Sequence, residues 1–144
     1  MESLKLIRKY VKRIDSIDPC PICEEMKSKL TTECGVYMFI RKRSRKVDYV
    51  GTATGANGLK QRIKQHLSIS YDKSVFRIKL GKDKMLNSLD DQVRHLEKHY
   101  LISYIPVKEH KSIIMAIEQV LIYEKKSIYN DENIKSKLPN FILK

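Results

Sequence analysis

Three polar side chains stand out because of the helical stretches in which they occur. Glu118 lies in the middle of the most apolar stretch, directly after Ile117. A carboxylate on such a face is costly unless it is paired or bound to a metal. Arg62 and His66 are four residues apart, on the flank of another apolar stripe. Arginine suits phosphate oxygens and histidine transfers protons near neutral pH, so these three residues are the first candidates for chemistry.

Each candidate also has a plainer structural interpretation. Glu118 alone is compatible with a salt-bridged or capped residue at the edge of the apolar face. Arg62 and His66 alone are compatible with a solvated helix edge. Tyr37 and Tyr49, in two β-prone runs, are compatible with core or sheet-surface residues.

Hydrophobic periodicity predicts the elements that would position these residues. Three β-prone runs predict strands at 35–40, 47–51 and 100–106, and a short basic turn joins the first two into an antiparallel hairpin. Apolar residues at helical spacing predict helices at 3–14, 24–30, 59–67, 86–99 and 112–124. Two prolines near residue 20 end the first helix. The pattern at 72–82 fits either a strand or a helix. The pattern indicates an α+β fold with three strands.

The charge balance indicates the kind of partner. The 144 residues contain 29 Lys and Arg against 17 Asp and Glu, a net charge of +12. This length fits one domain, and the excess favours a polyanion, usually nucleic acid; an acidic membrane surface and a solubility device are the alternatives. No apolar run reaches the ~20 residues of a membrane span, and the first residues lack the apolar core of a signal peptide. Three cysteines favour a reducing compartment, so we expect a cytoplasmic or nucleoid-associated protein without membrane partners.

The basic residues are concentrated in a few places. The hairpin turn at 41–46 carries five positive charges in six residues. The helix at 3–14 has a basic outer face. This face is either solvated, with the helix packed on the core by its apolar side, or turned toward phosphate groups or a membrane surface. Such clusters supply salt-dependent phosphate contacts but little base specificity. The residues predicted to bind nucleic acid are Arg41, Lys42, Arg43, Arg45, Lys46, Lys60 and Lys64.

The order of these features resembles the GIY-YIG nuclease family. Gly-Val-Tyr at 35–37 and Tyr-Val-Gly at 49–51 are similar to the two strand motifs that give the family its name, with Val in place of Ile in both. A glycine-rich loop, a helix with Arg62 and His66, and the distant Glu118 follow in the family's order. The resemblance implies a three-stranded antiparallel sheet flanked by helices, to which this chain adds an N-terminal helix.

The resemblance also implies a reaction, the metal-dependent hydrolysis of phosphodiester bonds in DNA by an endonuclease. One Mg²⁺ or Mn²⁺ ion would be held by Glu118 and water, and Arg62 would bind the scissile phosphate. Tyr37 or Tyr49 would orient or deprotonate the attacking water, with His66 assisting. The alternatives are a non-catalytic nucleic-acid-binding protein that retains the fold, and a nuclease that acts on RNA.

The resemblance covers about 34–131 and divides the chain. Residues 1–33 form an N-terminal basic helix and a Cys-x-x-Cys segment, and 34–144 form the nuclease-like domain with an inserted helical segment at about 68–99. The family's asparagine, with a positioning role, matches Asn130, and Asn140 is the weaker candidate. The target preference and the oligomeric state are left open.

The Cys-x-x-Cys motif is half of a possible structural zinc site. Cys20 and Cys23 would need two further ligands, such as His95 and His99, which are four residues apart on a predicted helix, or Cys34 with one histidine. The alternative is reduced thiols without a ligand. A thioredoxin-like redox role is disfavoured because no βαβ pattern surrounds the motif.

Overall fold

The computed structural model describes residues 2–130, and the predicted hydrophobic periods account for most of its elements. The α+β fold is confirmed. In chain order the described elements are α1 (Glu2–Ser16), β1 (Cys20–Pro21), α2 (Glu24–Ser28), β2 (Gly35–Arg41), β3 (Val47–Ala53), α3 (Gly58–His66), α4 (Val75–Lys84), α5 (Leu89–His99), β4 (Tyr100–Pro106) and α6 (Lys111–Lys125).

The described strands form one antiparallel sheet in the order β1-β4-β2-β3. The prediction of three strands is wrong by one, because Cys20 and Pro21 pair with Ile102 and Leu101 of β4. A strand of two residues is too short to show an alternation of apolar and polar side chains in the sequence. Its proline is tolerated because β1 lies at the edge of the sheet.

The central strand β2 is buried on both sides, and its residues alternate between two packed faces. Val36, Met38 and Ile40 pack with α1 and α6; we call this the aliphatic face. Tyr37 and Phe39 pack with residues of α2, α3, α4 and α5; we call this the aromatic face. The predicted N-terminal helix, α1, therefore contributes directly to the core through its apolar stripe, Ile7, Tyr10, Val11 and Ile14.

The segment at 68–99 contains two helices, α4 and α5, so the ambiguous run at 72–82 is helical. Ser74 explains why, because its side chain accepts a hydrogen bond from the backbone N–H of Arg77 and caps α4. Ser88 caps α5 in the same way. None of the described helices is both long and apolar enough to cross a membrane.

Candidate active site

The two strand motifs meet at one cross-strand pair. Tyr37 of β2 lies opposite Gly51 of β3. A Cβ atom at Gly51 would lie 2.3 Å from Cζ of Tyr37. The Tyr37 ring thus occupies the space that any other residue at position 51 would need. This contact explains why a tyrosine in one motif accompanies a glycine in the other.

Tyr37 and His66 form a buried hydrogen bond on the aromatic face. Both are 0 % exposed, and the Tyr37 hydroxyl lies 2.6 Å from Nε2 of His66. The other ring nitrogen, Nδ1, lies 2.7 Å from Oγ of Ser74. Burial, together with the charges of Arg62 and Arg77, lowers the pKa of His66 to about 3. The imidazole is therefore neutral at neutral pH, with both nitrogens engaged.

Ser74 and Arg77 were not among the residues singled out from the sequence. Arg77 is 1 % exposed and donates to the carbonyl oxygens of Ser68, at 2.6 Å, and of Tyr71. These bonds hold the loop between α3 and α4 on which Ser74 lies. A serine directly before a helix is a typical N-cap, so the sequence does carry a signal for Ser74. That signal can be recognised only once 72–82 is known to be helical.

Arg62 and Tyr49 lie beside this buried pair. Arg62 is one helical turn before His66, is partly exposed, and donates from Nη1 to Oε1 of Gln65 at 3.1 Å. Tyr49 is also partly exposed, and its ring centroid lies 6.4 Å from that of Tyr37. Burial raises the pKa of Tyr49, and the positive charge of Arg62 opposes that shift. Tyr49 is therefore the tyrosine that solvent can reach.

Glu118 lies on α6, the helix that packs on the aliphatic face and against β3. Its side chain is partly exposed. Its negative charge is one of the influences that raise the pKa of Tyr49 and, after burial, that of Tyr37. Of the six predicted catalytic residues, Tyr37, Tyr49, Arg62 and His66 lie together on the aromatic face. A fifth, Glu118, is near enough for its charge to act on both tyrosines.

Asn130, the sixth, binds backbone rather than the other five side chains. Its amide accepts from the N–H of Val50 and donates to the C=O of Val50, both at 2.9 Å. Tyr129 adds a bond from its N–H to the carbonyl of Asp48 at 3.0 Å. Because β3 is an edge strand, these bonds satisfy backbone groups that the sheet leaves open. Asn130 holds the strand between Tyr49 and Gly51, while Asn140 lies outside the described residues.

The predicted nucleic-acid-binding residues occupy two places. Lys60 and Lys64 are exposed on α3, the helix that carries Arg62. The others lie at the hairpin turn, where all are exposed except Arg41. Arg41 donates from Nε to the buried carboxylate of Asp48 at 2.6 Å, and the Tyr100 hydroxyl donates to the same oxygen. The exposed residues at the turn are Lys42, Arg43, Arg45 and Lys46.

The structure does not bring the candidate zinc ligands together. Cys20 donates from Sγ to the carbonyl of Ile102 at 3.4 Å, and Cys23 is exposed. His95 and His99 are neighbours on α5, with ring centroids 4.5 Å apart. Within residues 2–130, no group of three or more His, Cys, Asp or Glu side chains is placed to hold a metal ion.

Comparison with protein-family models finds no match for this chain, and a search of curated proteins finds none either. The resemblance of its strand motifs therefore stays a prediction.

Proposed function

We propose that this chain is a metal-dependent endonuclease of the GIY-YIG type that hydrolyses phosphodiester bonds in DNA. The observation that carries the proposal is the convergence of Tyr37, Tyr49, Arg62, His66 and Glu118 beside the edge strand β3. They come from four elements, three of which are consecutive in the chain (β2, β3 and α3), while Glu118 on α6 lies 52 positions beyond His66. A helix edge that served only solubility would not need a buried histidine bonded to a buried tyrosine.

The charge of the site supports a phosphodiester substrate. Arg62 is a partly exposed cation next to two phenols, and Lys60 and Lys64 extend from the same helix. With a net charge of +12, the protein attracts polyanions over distances set by the ionic strength. A phosphate oxygen is the ligand that a guanidinium at this position favours.

The donor set fits a hydrated divalent cation. Glu118 offers carboxylate oxygens at a partly exposed position, which leaves room for water around a bound ion. Mg²⁺ keeps several waters and needs one or two carboxylates, so a single glutamate suffices. When bound, Mg²⁺ or Mn²⁺ supplies Lewis-acid stabilisation of the charge that develops on the phosphate.

The protein's own residues position the reactants. Arg62 binds the non-bridging oxygens of the scissile phosphate and neutralises the developing charge. Tyr49, which solvent reaches, orients the attacking water. Tyr37 and neutral His66 form the hydrogen-bonded support behind it. Tyr49 is the phenol placed to take the water's proton, and the positive charge of Arg62 favours its phenolate form against the effect of burial.

The reaction balances as a simple hydrolysis. The water oxygen bonds to phosphorus as the bond from phosphorus to one ester oxygen breaks. The water's proton passes to the base, and the leaving oxygen takes a proton from the surrounding water. One strand is cut, leaving one hydroxyl end and one phosphate end.

A plasmid-nicking assay with Mg²⁺ or Mn²⁺ tests the proposal. Glu118→Ala should abolish nicking while DNA binding, measured in parallel, persists. Glu124→Ala removes the same charge from an exposed position on the same helix and should nick at the wild-type rate. Equal rates for Glu118→Ala and the wild type would exclude the metal-binding role of Glu118.

A panel of branched, single-stranded and duplex substrates, with matched RNA, defines the target. Wild-type protein that binds DNA but leaves every substrate intact with either metal would favour the non-catalytic alternative. Cleavage confined to RNA would favour the other alternative.

A further inference from the structure

A second concave surface lies away from the candidate active site, where the hairpin turn meets the end of α5. It encloses about 580 Å³, and its described lining contains no carboxylate side chain. We call it the basic cleft. It is lined by Arg41, Lys42, Arg43, Ser44, Lys84, His95, Lys98, His99 and Tyr100.

The basic cleft is built by specific contacts between the turn and α5. The backbone N–H of Lys42 donates to the carbonyl of His99 at 2.9 Å. The Lys42 ammonium donates to the carbonyl of Glu97 at 3.3 Å. These bonds attach the hairpin turn to the segment at 68–99, whose residue Lys84 closes one side. The cationic groups are thus held around one space by contacts between separate elements.

The two histidines of the basic cleft lie within range of several of these charges at once. Burial lowers the pKa of His99, and the charges of Lys98, Arg43, Lys42 and Lys84 lower it further. The pKa of His95 is lowered by burial and by His99, Lys84 and Lys98. A positive potential that disfavours a second positive charge favours an anion in the same place.

The position of the basic cleft relates it to the proposed active site. Tyr49 lies opposite Phe39 of β2, and Arg41 lies two residues beyond Phe39, which corresponds to ~7 Å along the strand at ~3.3 Å per residue. The basic cleft therefore lies toward the hairpin turn from Tyr49, along the same pair of strands.

We propose that the basic cleft binds backbone phosphates of a DNA strand to one side of the bond that Arg62 and Tyr49 position. The relation to the cleaved bond rests on the proposed function, whereas phosphate binding by the cleft does not. A membrane surface fits less well, because no exposed large apolar side chain lines the cleft and interfacial binding depends on one. The segment at 68–99 would then determine how much DNA the enzyme requires.

The test compares two double variants with the same change of charge. Lys84→Gln/Lys98→Gln removes two cations of the basic cleft, and Lys108→Gln/Lys111→Gln removes two exposed lysines between β4 and the first residue of α6. All four side chains are exposed, so both variants should fold, as thermal unfolding will show. Binding of a labelled duplex of about 20 base pairs is measured in a Glu118→Gln background to prevent cleavage.

The cleft variant should lose roughly 10- to 30-fold in affinity near 0.15 M salt, and its salt slope should fall by about two. The control should stay within about twofold of the parent. Equal losses in both variants would overturn the proposal, because they would indicate a general charge effect. Unchanged DNA binding with lost binding to anionic vesicles would overturn it in favour of a membrane surface.

A separate measurement distinguishes this proposal from the proposed function. With the Glu118 carboxylate intact, the cleft variant should raise KM for the long duplex and leave kcat unchanged. If the protein cleaves no substrate, the binding comparison still decides whether the cleft holds phosphate. In that case, weaker DNA binding by the cleft variant but not by the control variant supports phosphate binding in the cleft, although the nuclease proposal fails.

Discussion

The two faces of the sheet are built from different chemistry, although they share the strand β2. On the aliphatic face, Val36, Met38 and Ile40 meet the apolar stripes of α1 and α6. On the aromatic face, Tyr37 and Phe39 lie among other rings, and the buried polar groups His66, Ser74 and Arg77 lie beside them. One face is held by non-directional burial, and the other also by hydrogen bonds with defined partners.

This difference explains where a site can form. Apolar contacts tolerate small changes of position, but a buried polar group is stable only while its partner stays in place. The pairing of His66 with Tyr37 and Ser74 therefore holds α3, the helix that also carries Arg62, against the sheet. We expect substitutions of the buried apolar residues on the aliphatic face to change stability alone, and those around His66 to change activity more than stability.

The largest expected effect is on the rate. If the proposed function holds, Arg62→Ala should lower kcat by about 10³-fold, or about 4 kcal/mol of transition-state stabilisation, because the proposed contact with the scissile phosphate is lost. Its thermal unfolding should match that of Gln61→Ala, a change at the exposed neighbour that should keep the wild-type rate. A parallel loss of stability in Arg62→Ala would mean that this residue belongs to the core rather than to the site.

The second expected effect is on stability and lies on the aliphatic face. Ile14 of α1 is 1 % exposed, and Ile14→Ala should lower the free energy of unfolding by about 3 kcal/mol through lost burial and a cavity. The rate per folded molecule should not change. Urea unfolding and active-site titration measure the two quantities separately. A lower rate at full folding would remove the proposed distinction between the faces.

A smaller effect is expected where the two motifs touch. Gly51→Ala places a methyl group against the Tyr37 ring, so the ring or the strand must shift, at a cost of about 2 kcal/mol. Both stability and rate should fall. Gly55→Ala is the matched control, since no heavy atom lies within 4 Å of its added Cβ. Wild-type behaviour of Gly51→Ala would show that the Tyr37 ring moves freely.

The smallest expected effect is a difference between two helix caps. Ser74→Ala and Ser88→Ala each remove a cap, from α4 and α5 respectively, at about 1 kcal/mol. Ser74→Ala also leaves Nδ1 of His66 without its partner, which should cost about 1 kcal/mol more and change the pH profile of kcat. Identical stabilities and pH profiles for the two variants would show that Ser74 acts only as a cap.

Much of the fold was predictable because its elements have strong local patterns. The predicted strand at 100–106 is confirmed in full, and the helices at 3–14 and 112–124 differ from α1 and α6 by one or two residues at each end. The short strand at Cys20 was missed because only pairing with Ile102 makes it a strand. The strand propensity of a few neighbouring residues cannot indicate a pairing partner so far away in the chain.

The sequence by itself determined which residue types occur at which strand or helix positions, and so which residues are candidates for chemistry, since the strand or helix period depends on near neighbours along the chain. Only the tertiary structure decided which of them meet. The Tyr37 hydroxyl reaches a ring 29 positions away, and the Asn130 amide reaches a backbone 80 positions away. These contacts depend on how the helices pack on the sheet, because burial draws distant residues together and hydrogen bonding then selects their partners.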